Sequence, residues 1–388
     1  MDSQIKMTRA YEDELIEFYR QGVQTRSYSD EEGDFAKLIL HKMKELGFDD
    51  AHIDSAGNVV GRVGSGPRTI HFDSHMDTVQ VNDESEWQQP PFAANIVDGS
   101  VWGRGSVDMK GGLSASVFAA ALAKKAGLLE GKSVYVTGSV CEEYCDGVCL
   151  QHFYAESGLK PDFCVICEPS GNLITLGHTG KVQARIRTHG VSAHGSAPEK
   201  GINAVYEMAE IITRVDQLNK KLRASGGGTI VLSDISCVSA SLNAVPNECE
   251  IYLDRRLRLT ESVAQVKAEL EQLIAGKRAT WEPGTLFHKS WTGKELVYEP
   301  AHEPWKIAED APLTLKCSDA YEAAFGKKPD KYDFWDFGTN AVVPVSMGVP
   351  TIGFGPGEYK LSHMRDEHCA VSQVQDACRF YAELIARL

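Results

Sequence analysis

Apolar positions along the first half of the chain fall into two alternating rhythms. Arg9 to Gly22, and then Ser29-Asp30 to Gly47, carry them at helical spacing, the second stretch stopping at a glycine suited to a C-terminal cap. Strand-like runs follow at Gly57 to Val63 and Thr69 to Met76. Next come a small-residue helix from Gly111 to Ala126, a strand from Ser133 to Cys141, a short helix from Tyr144 and a strand from Asp162 to Cys167. Apolar strands separated by helices predict an α/β fold with a mainly parallel sheet covered by helices on both faces.

The texture changes near Gly177. From Lys181 to about Tyr298 the pattern reads strand, helix, strand, strand, helix, strand, with Val205, Met208, Ile212, Val215 and Leu222 marking one face of the first helix. A stretch rich in Pro, Glu and Trp, Glu299 to Pro312, then returns the chain to elements like those of its first half. The expected organisation is residues 1–179 with 299–388 as one domain, and 180–298 as an inserted α+β domain. The last helix, Ala370 to Leu388, sets Val371, Val374, Tyr381, Ile385 and Leu388 on one stripe and should dock on the main core.

Size supports two domains, because 388 residues exceed the usual single core. A net charge of −14 with only short basic clusters disfavours a nucleic-acid partner. Met1 to Tyr19 lacks the apolar stretch of a signal peptide, and no run of about 18 apolar residues predicts a membrane span. Ten cysteines in a chain this long suggest a reduced, cytoplasmic protein rather than a secreted disulfide scaffold.

Candidate chemistry lies at the ends of the apolar runs. His75 with Asp77, Asp108, the pair Glu142-Glu143, Glu168 and His363 each close or follow such a run. Two metal ions sharing one carboxylate need this kind of set, with a spare carboxylate for a proton. His71 shares strand parity with His75, but four residues of strand span about 13 Å, so the two cannot hold one ion. His71 is expected in the core. Asp77 suits the role of accepting the second imidazole N–H of His75. Taken singly, Asp108 also reads as a helix N-cap, and Glu142-Glu143 as acids in a first helical turn. Cys164 and Cys167, three apart on a strand, face opposite ways, and the remaining cysteines complete no zinc set. They read as small buried hydrophobes. No Walker loop and no Gly-x-Ser-x-Gly elbow occurs.

Three segments together, Ser74-His75-Met76-Asp77-Thr78-Val79, Gly103-Arg104-Gly105 with Asp108-Met109-Lys110-Gly111-Gly112, and Glu142-Glu143, resemble the dizinc amidohydrolase and exopeptidase family. That family includes acetylornithine deacetylase, succinyl-diaminopimelate desuccinylase, carboxypeptidase G and aminoacylase, and the pattern is also similar to its selenium-metabolism-linked hydrolase branch. The resemblance spans nearly the whole chain. It implies a zinc exopeptidase-like fold with a dimerisation or lid domain, and two zinc ions, with cobalt or manganese as substitutes. It places His75 and Glu168 on one metal, Glu143 and His363 on the other and Asp108 between them. Glu142 becomes the general base, and Asp77 the partner of His75.

In the inserted domain, Val191-Ser192-Ala193-His194-Gly195-Ser196-Ala197-Pro198 resembles the motif whose histidine helps stabilise the oxyanion in the partner subunit's site, which implies a homodimer. Asn243, Arg256 (chosen over Arg255 by its spacing from Asp254) and Gly355 match positions that contact substrate. Read without the resemblance, Asn243 is a turn residue and Arg256 a surface strand residue.

The implied reaction is hydrolysis of an amide in an N-acyl amino acid or small peptide-like substrate bearing a carboxylate. Water shared by the metals would lose a proton to Glu142 and attack the carbonyl. The alternatives are a dipeptidase or aminopeptidase acting on free N-termini, or a non-catalytic binding protein of the same fold. Glu142 argues against the last, since a silent relative has no use for a spare base. The aromatic, acidic run Tyr332 to Phe337 departs from the Ser/Thr/Gly-rich sequence expected there and is a candidate acyl pocket.

Overall fold

Parallel strands form the middle of the main sheet: Lys132–Ser139, Arg68–His75, Phe163–Ile166 and Thr351–Gly353, in that order in space. They belong to a computed structural model that describes residues 5–388. Antiparallel strands close both sides of the nine-stranded sheet, Val59–Gly64 and Asp50–Ile53 at one edge, Thr175–His178 and Trp305–Lys306 at the other. Alternation explains why both faces are covered: along one strand Val59 and Val63 enter the main core, whereas Val60 packs with Leu150, Phe153 and Tyr154 on the opposite side. Helices Gly111–Lys125 and Val371–Arg387 pack together in the main core, the latter through Val374, Ala377, Phe380, Tyr381, Leu384 and Ile385.

A second sheet has five strands ordered Thr229–Val238, Glu248–Leu257, Gly180–His189 and Ala279–Pro283, with Ala301–His302 also on Gly180–His189. All its pairings are antiparallel, and strand Glu248–Leu257 alternates strictly between buried and half-buried positions. Helices Ala204–Ala224 and Val263–Ile274 bury Met208, Ile211, Val215, Leu270 and Leu273 against it, making a hydrophobic cluster separate from the main one. A hairpin, Leu286–Lys289 with Glu295–Tyr298, packs instead on the main core through Leu296 and Tyr298. Its tip residue Trp291 donates its indole N–H to the carbonyl of Gly57 at 3.1 Å.

Two local differences from the sequence pattern matter for the site. The short helix expected from Tyr144 is Val148–Ser157. The residues before it form a turn that starts at Cys141, with φ +56°, and ends at Gly147, with φ +81°. The stretch expected as a linker, Glu299 to Pro312, supplies two short strands that run beside the chain entering the second sheet. No helix among the described residues is long and apolar enough to cross a membrane.

Candidate metal centre and active site

The carboxyl ends of the parallel strands converge on one cavity of about 300 Å³. His75 is the last residue of its strand, Glu142 and Glu143 follow Lys132–Ser139, and Glu168 follows Phe163–Ile166. This is where open α/β sheets place ligands, because loops leaving neighbouring strands face one another there.

Asp108 stands at the centre. Its Oδ1 lies 2.9 Å from His75 Nε2, and its Oδ2 lies 3.3 Å from His363 Nε2. Glu168 Oε1 is 3.6 Å from the same His75 nitrogen, and Glu143 Oε2 is 2.9 Å from the same His363 nitrogen. One carboxylate therefore turns each oxygen toward a different imidazole, and each imidazole has its own second carboxylate. Two overlapping groups, His75 with Asp108 and Glu143, and His75 with Glu142 and Glu168, offer ligand atoms all within 4.8 Å of one another.

Electrostatics tests whether cations fit. Burial pushes Glu168 well above the usual carboxylate range; His75 opposes the shift, and Asp108 and Glu143 add to it. Glu142 is raised in the same way by burial and by Glu168. His363 is drawn up to about 10 by hydrogen bonds to Asp108 and Glu143. Asp108 itself sits below its usual range, because His363 and His75 outweigh its burial. Four largely buried carboxylates crowded around one buried and one half-exposed imidazole form a site that divalent cations would neutralise. The nitrogen and oxygen donors suit zinc, cobalt or manganese.

Backbone contacts position these groups. His75 Nδ1 donates to the carbonyl of Asp77 at 2.9 Å, while the Asp77 carboxylate is 3.5 Å away. Asp77 therefore lies beside His75, and the nearer acceptor is its backbone carbonyl rather than its carboxylate. The Asp77 carboxylate instead accepts the N–H of Glu142 at 3.0 Å, the N–H of Glu143 at 3.1 Å and the hydroxyl of Ser29 at 2.7 Å. These bonds hold the Glu142-Glu143 turn open and delay the following helix.

Glu367 does the same for Asp108. Fully buried, it accepts the N–H of Val107 at 2.8 Å and of Asp108 at 3.1 Å, and pairs with Arg104 at 2.6 Å. Lys110 anchors the other side of this loop on the carbonyls of Gly22 and Thr25 at the end of the first helix. Sequence reasoning gave no role to Glu367 or Lys110, because an acid in a late loop and a lysine beside glycines look like surface residues until the loop closes.

Other expected residues are distributed differently. Arg256 lines the cavity, its guanidinium braced on Asp254 by bonds of 2.7 and 2.9 Å. His194 and Asn243 do not line it. They sit together on an exposed tip of the second sheet, where Gly195 N–H donates to Asn243 O at 2.6 Å. Gly355 is buried against the backbone of Cys167 and Glu168, where a side chain would collide with both carbonyls. It supports the Glu168 segment rather than facing the cavity. His71 is buried between Tyr154 and Thr137 as a core histidine, its pKa lowered to about 3 by burial.

The aromatic run divides. Trp335 is core, with its N–H on the carbonyl of Pro169 at 3.0 Å, whereas Phe337 reaches the cavity and meets Tyr359 with ring centres 5.7 Å apart. Asp146 and Lys181 also line the cavity and were missed, since nothing in their local spacing signals a shared site.

Comparison with known proteins gives the family and the fold. A family model described as peptidase family M20/M25/M40 matches residues 71–387. The uncharacterized protein YgeY of Escherichia coli (strain K12) is 34% identical over 386 residues, covering 98% of this chain and 96% of its own. A succinyl-diaminopimelate desuccinylase of Cereibacter sphaeroides (strain ATCC 17029 / ATH 2.4.9) is 28% identical over 378 residues, covering 94% and 96%. Among solved structures, the M20 family metallo-carboxypeptidase Sso-CP2 from Sulfolobus solfataricus superposes with a TM-score of 0.74 at 18% identity over 98% of this chain and 99% of its own. YXEP of Bacillus subtilis, a dinuclear metal binding peptidase from the M20 family, superposes at 0.68 with 15% identity over 98% of each chain.

Proposed function

Since this chain belongs to peptidase family M20/M25/M40, and is therefore a metal-dependent hydrolase of amide or peptide bonds, we propose that its substrate is an N-acyl amino acid or small peptide-like amide bearing a carboxylate. The observation that carries this reading is a cation from the second sheet, Arg256, facing the acidic cluster across the same cavity. A planar guanidinium braced by Asp254 suits a carboxylate, and it would set the scissile amide against the acids.

In this reading His75, Asp108 and Glu168 would hold one zinc, and Asp108, Glu143 and His363 the other; cobalt or manganese would serve. Such a metal pair polarises the amide carbonyl and acidifies water. Glu142, held in place by the Asp77 bond to its N–H, takes the proton of the attacking water and passes it to the leaving nitrogen.

His194 and Asn243 are proposed to serve the active site of a second copy. Their exposed tip continues from an edge strand that presents Val231, Ile235 and Val238 to solvent, each more than half exposed, which suits a homodimer. All ten cysteines are free and nine are buried, which is in keeping with a proposed place in the reducing cytoplasm.

The test is a panel of N-acyl amino acids and dipeptides assayed with zinc, cobalt and manganese. Cleavage of N-acyl amino acids is expected. Activity confined to dipeptides with a free amine would replace this reading with a dipeptidase.

A further inference from the structure

Asp146 belongs to the same turn as Glu142 and Glu143 and lines the same cavity, and its carboxylate also meets the segment that leads into the inserted sheet. Its Oδ2 is 2.6 Å from Lys181 Nζ, with both side chains only about a tenth exposed (10% and 11%). Lys181 lies at the start of strand Gly180–His189, where the chain enters the inserted sheet. The returning chain comes to the same place: the Lys181 ammonium lies 5.5 Å from the centre of the Tyr298 ring, and the Tyr298 hydroxyl is 3.1 Å from His302 Nε2.

These contacts run in series when His302 carries its proton on Nε2: imidazole N–H to the Tyr298 hydroxyl, the Tyr298 ring under the Lys181 ammonium, and that ammonium to the Asp146 carboxylate. Burial keeps His302 neutral, with a pKa near 4, as this arrangement requires.

Neighbouring residues leave Asp146 little freedom. Gly147 N–H donates to Asn340 Oδ1 at 2.6 Å, and Asn340 in turn binds Asp73 and Ser139 at 2.9 Å each, so the turn is fixed on the main body. Gly338 gives the carboxylate room: an added Cβ would lie 3.0 Å from Asp146 Oδ2. The connecting segments touch backbone to backbone, since side chains at Gly177 and Gly180 would collide with the carbonyls of Trp305 and His302. Lys181 is the direct cross-strand partner of Arg256 and shares its cavity. Whatever fixes Lys181 therefore also fixes the position of Arg256.

We propose that Asp146 is a positioning residue, a clamp that ties the Glu142-Glu143 turn to both the incoming and the outgoing segment of the inserted sheet and so sets the distance between Arg256 and the acids. The part of this that concerns turnover rests on the hydrolase reading above; the clamp itself does not. Its effect is that substrate carboxylate and scissile amide are presented together.

The experiment compares the metal-loaded parent with Asp146→Asn, Lys181→Met, the double variant and Lys181→Arg. Amide hydrogen exchange is read in segments 177–183 and 298–306, together with metal content, kcat and KM on any amide the panel identifies. Exchange in both segments should rise at least about tenfold in each single variant, with both metals retained. KM should rise about tenfold with a smaller change in kcat, the double variant should be no worse than either single one, and Lys181→Arg should restore the parent values.

Parent-like exchange in Asp146→Asn, or additive losses in the double variant, would overturn the clamp. If Asp146→Asn does not fold, Lys181→Met removes the other half of the ion pair and carries the exchange comparison in 177–183. A parent that cleaves nothing in the panel defeats the hydrolase reading, while the exchange result still decides the clamp.

Discussion

At the scale of single residues, the Glu142-Glu143 pair shows how adjacent acids acquire different work. Both backbone N–H groups are held by one carboxylate, Asp77, yet only Glu143 reaches His363. Glu142 keeps a carboxyl raised by burial, which suits its proposed role of accepting and then releasing a proton. Glu142→Gln should retain both metals while kcat falls by about 10² to 10⁴, measured by steady-state kinetics with metal analysis on the same sample. Glu367 tests the opposite dependence. Its charge holds Arg104 and the backbone of the Asp108 loop, so Glu367→Gln should weaken metal binding about 10- to 100-fold, read by competition with a chelator, while far-ultraviolet dichroism stays unchanged.

At the scale of elements, strand Arg68–His75 carries two histidines of the same parity with opposite fates. His75 ends the strand among carboxylates, whereas His71, two repeats of the pleat earlier, is sealed between Tyr154 and Thr137. The native His71 pKa of about 3 lies below the ordinary unfolded value of about 6.5, so its contribution is fully present above pH 6.5 and is lost as pH falls toward 3. Between pH 6.5 and 5 the parent should lose about 2 kcal/mol through this residue. Urea unfolding of His71→Phe over the same range should show that much less pH dependence than the parent, and equal slopes would remove His71 as the cause. The hairpin around Trp291 shows another element-scale effect. Nearby in sequence to the inserted sheet, it packs on the main core because its indole fits over Gly33 and Gly57, where no side chain stands in the way.

At the scale of the whole molecule, the edge strand Thr229–Val238 leaves unpaired backbone and apolar side chains facing solvent beside the tip that bears His194 and Asn243. For the homodimer proposed above, Ile235→Lys should shift the protein from dimer to monomer in light scattering after size exclusion, and activity should fall with it; a variant that stays dimeric would remove this strand from the interface. The α/β architecture was legible because apolar period and glycine or proline punctuation act locally: the strands ending at His75, Ser139 and Ile166 follow from runs of adjacent residues. The acids and histidines of the cavity were legible for the same reason, each lying at the end of such a run. What only the tertiary structure decided are contacts between segments far apart in sequence. Glu367 under the Asp108 loop, the backbone rather than the carboxylate of Asp77 on His75, Gly355 packed beneath Glu168, and Asp146 joined to Lys181 all depend on which chains meet when the sheet closes. Hydrogen bonds act over about 3 Å, so sequence spacing carries no trace of partners that only folding brings within that reach.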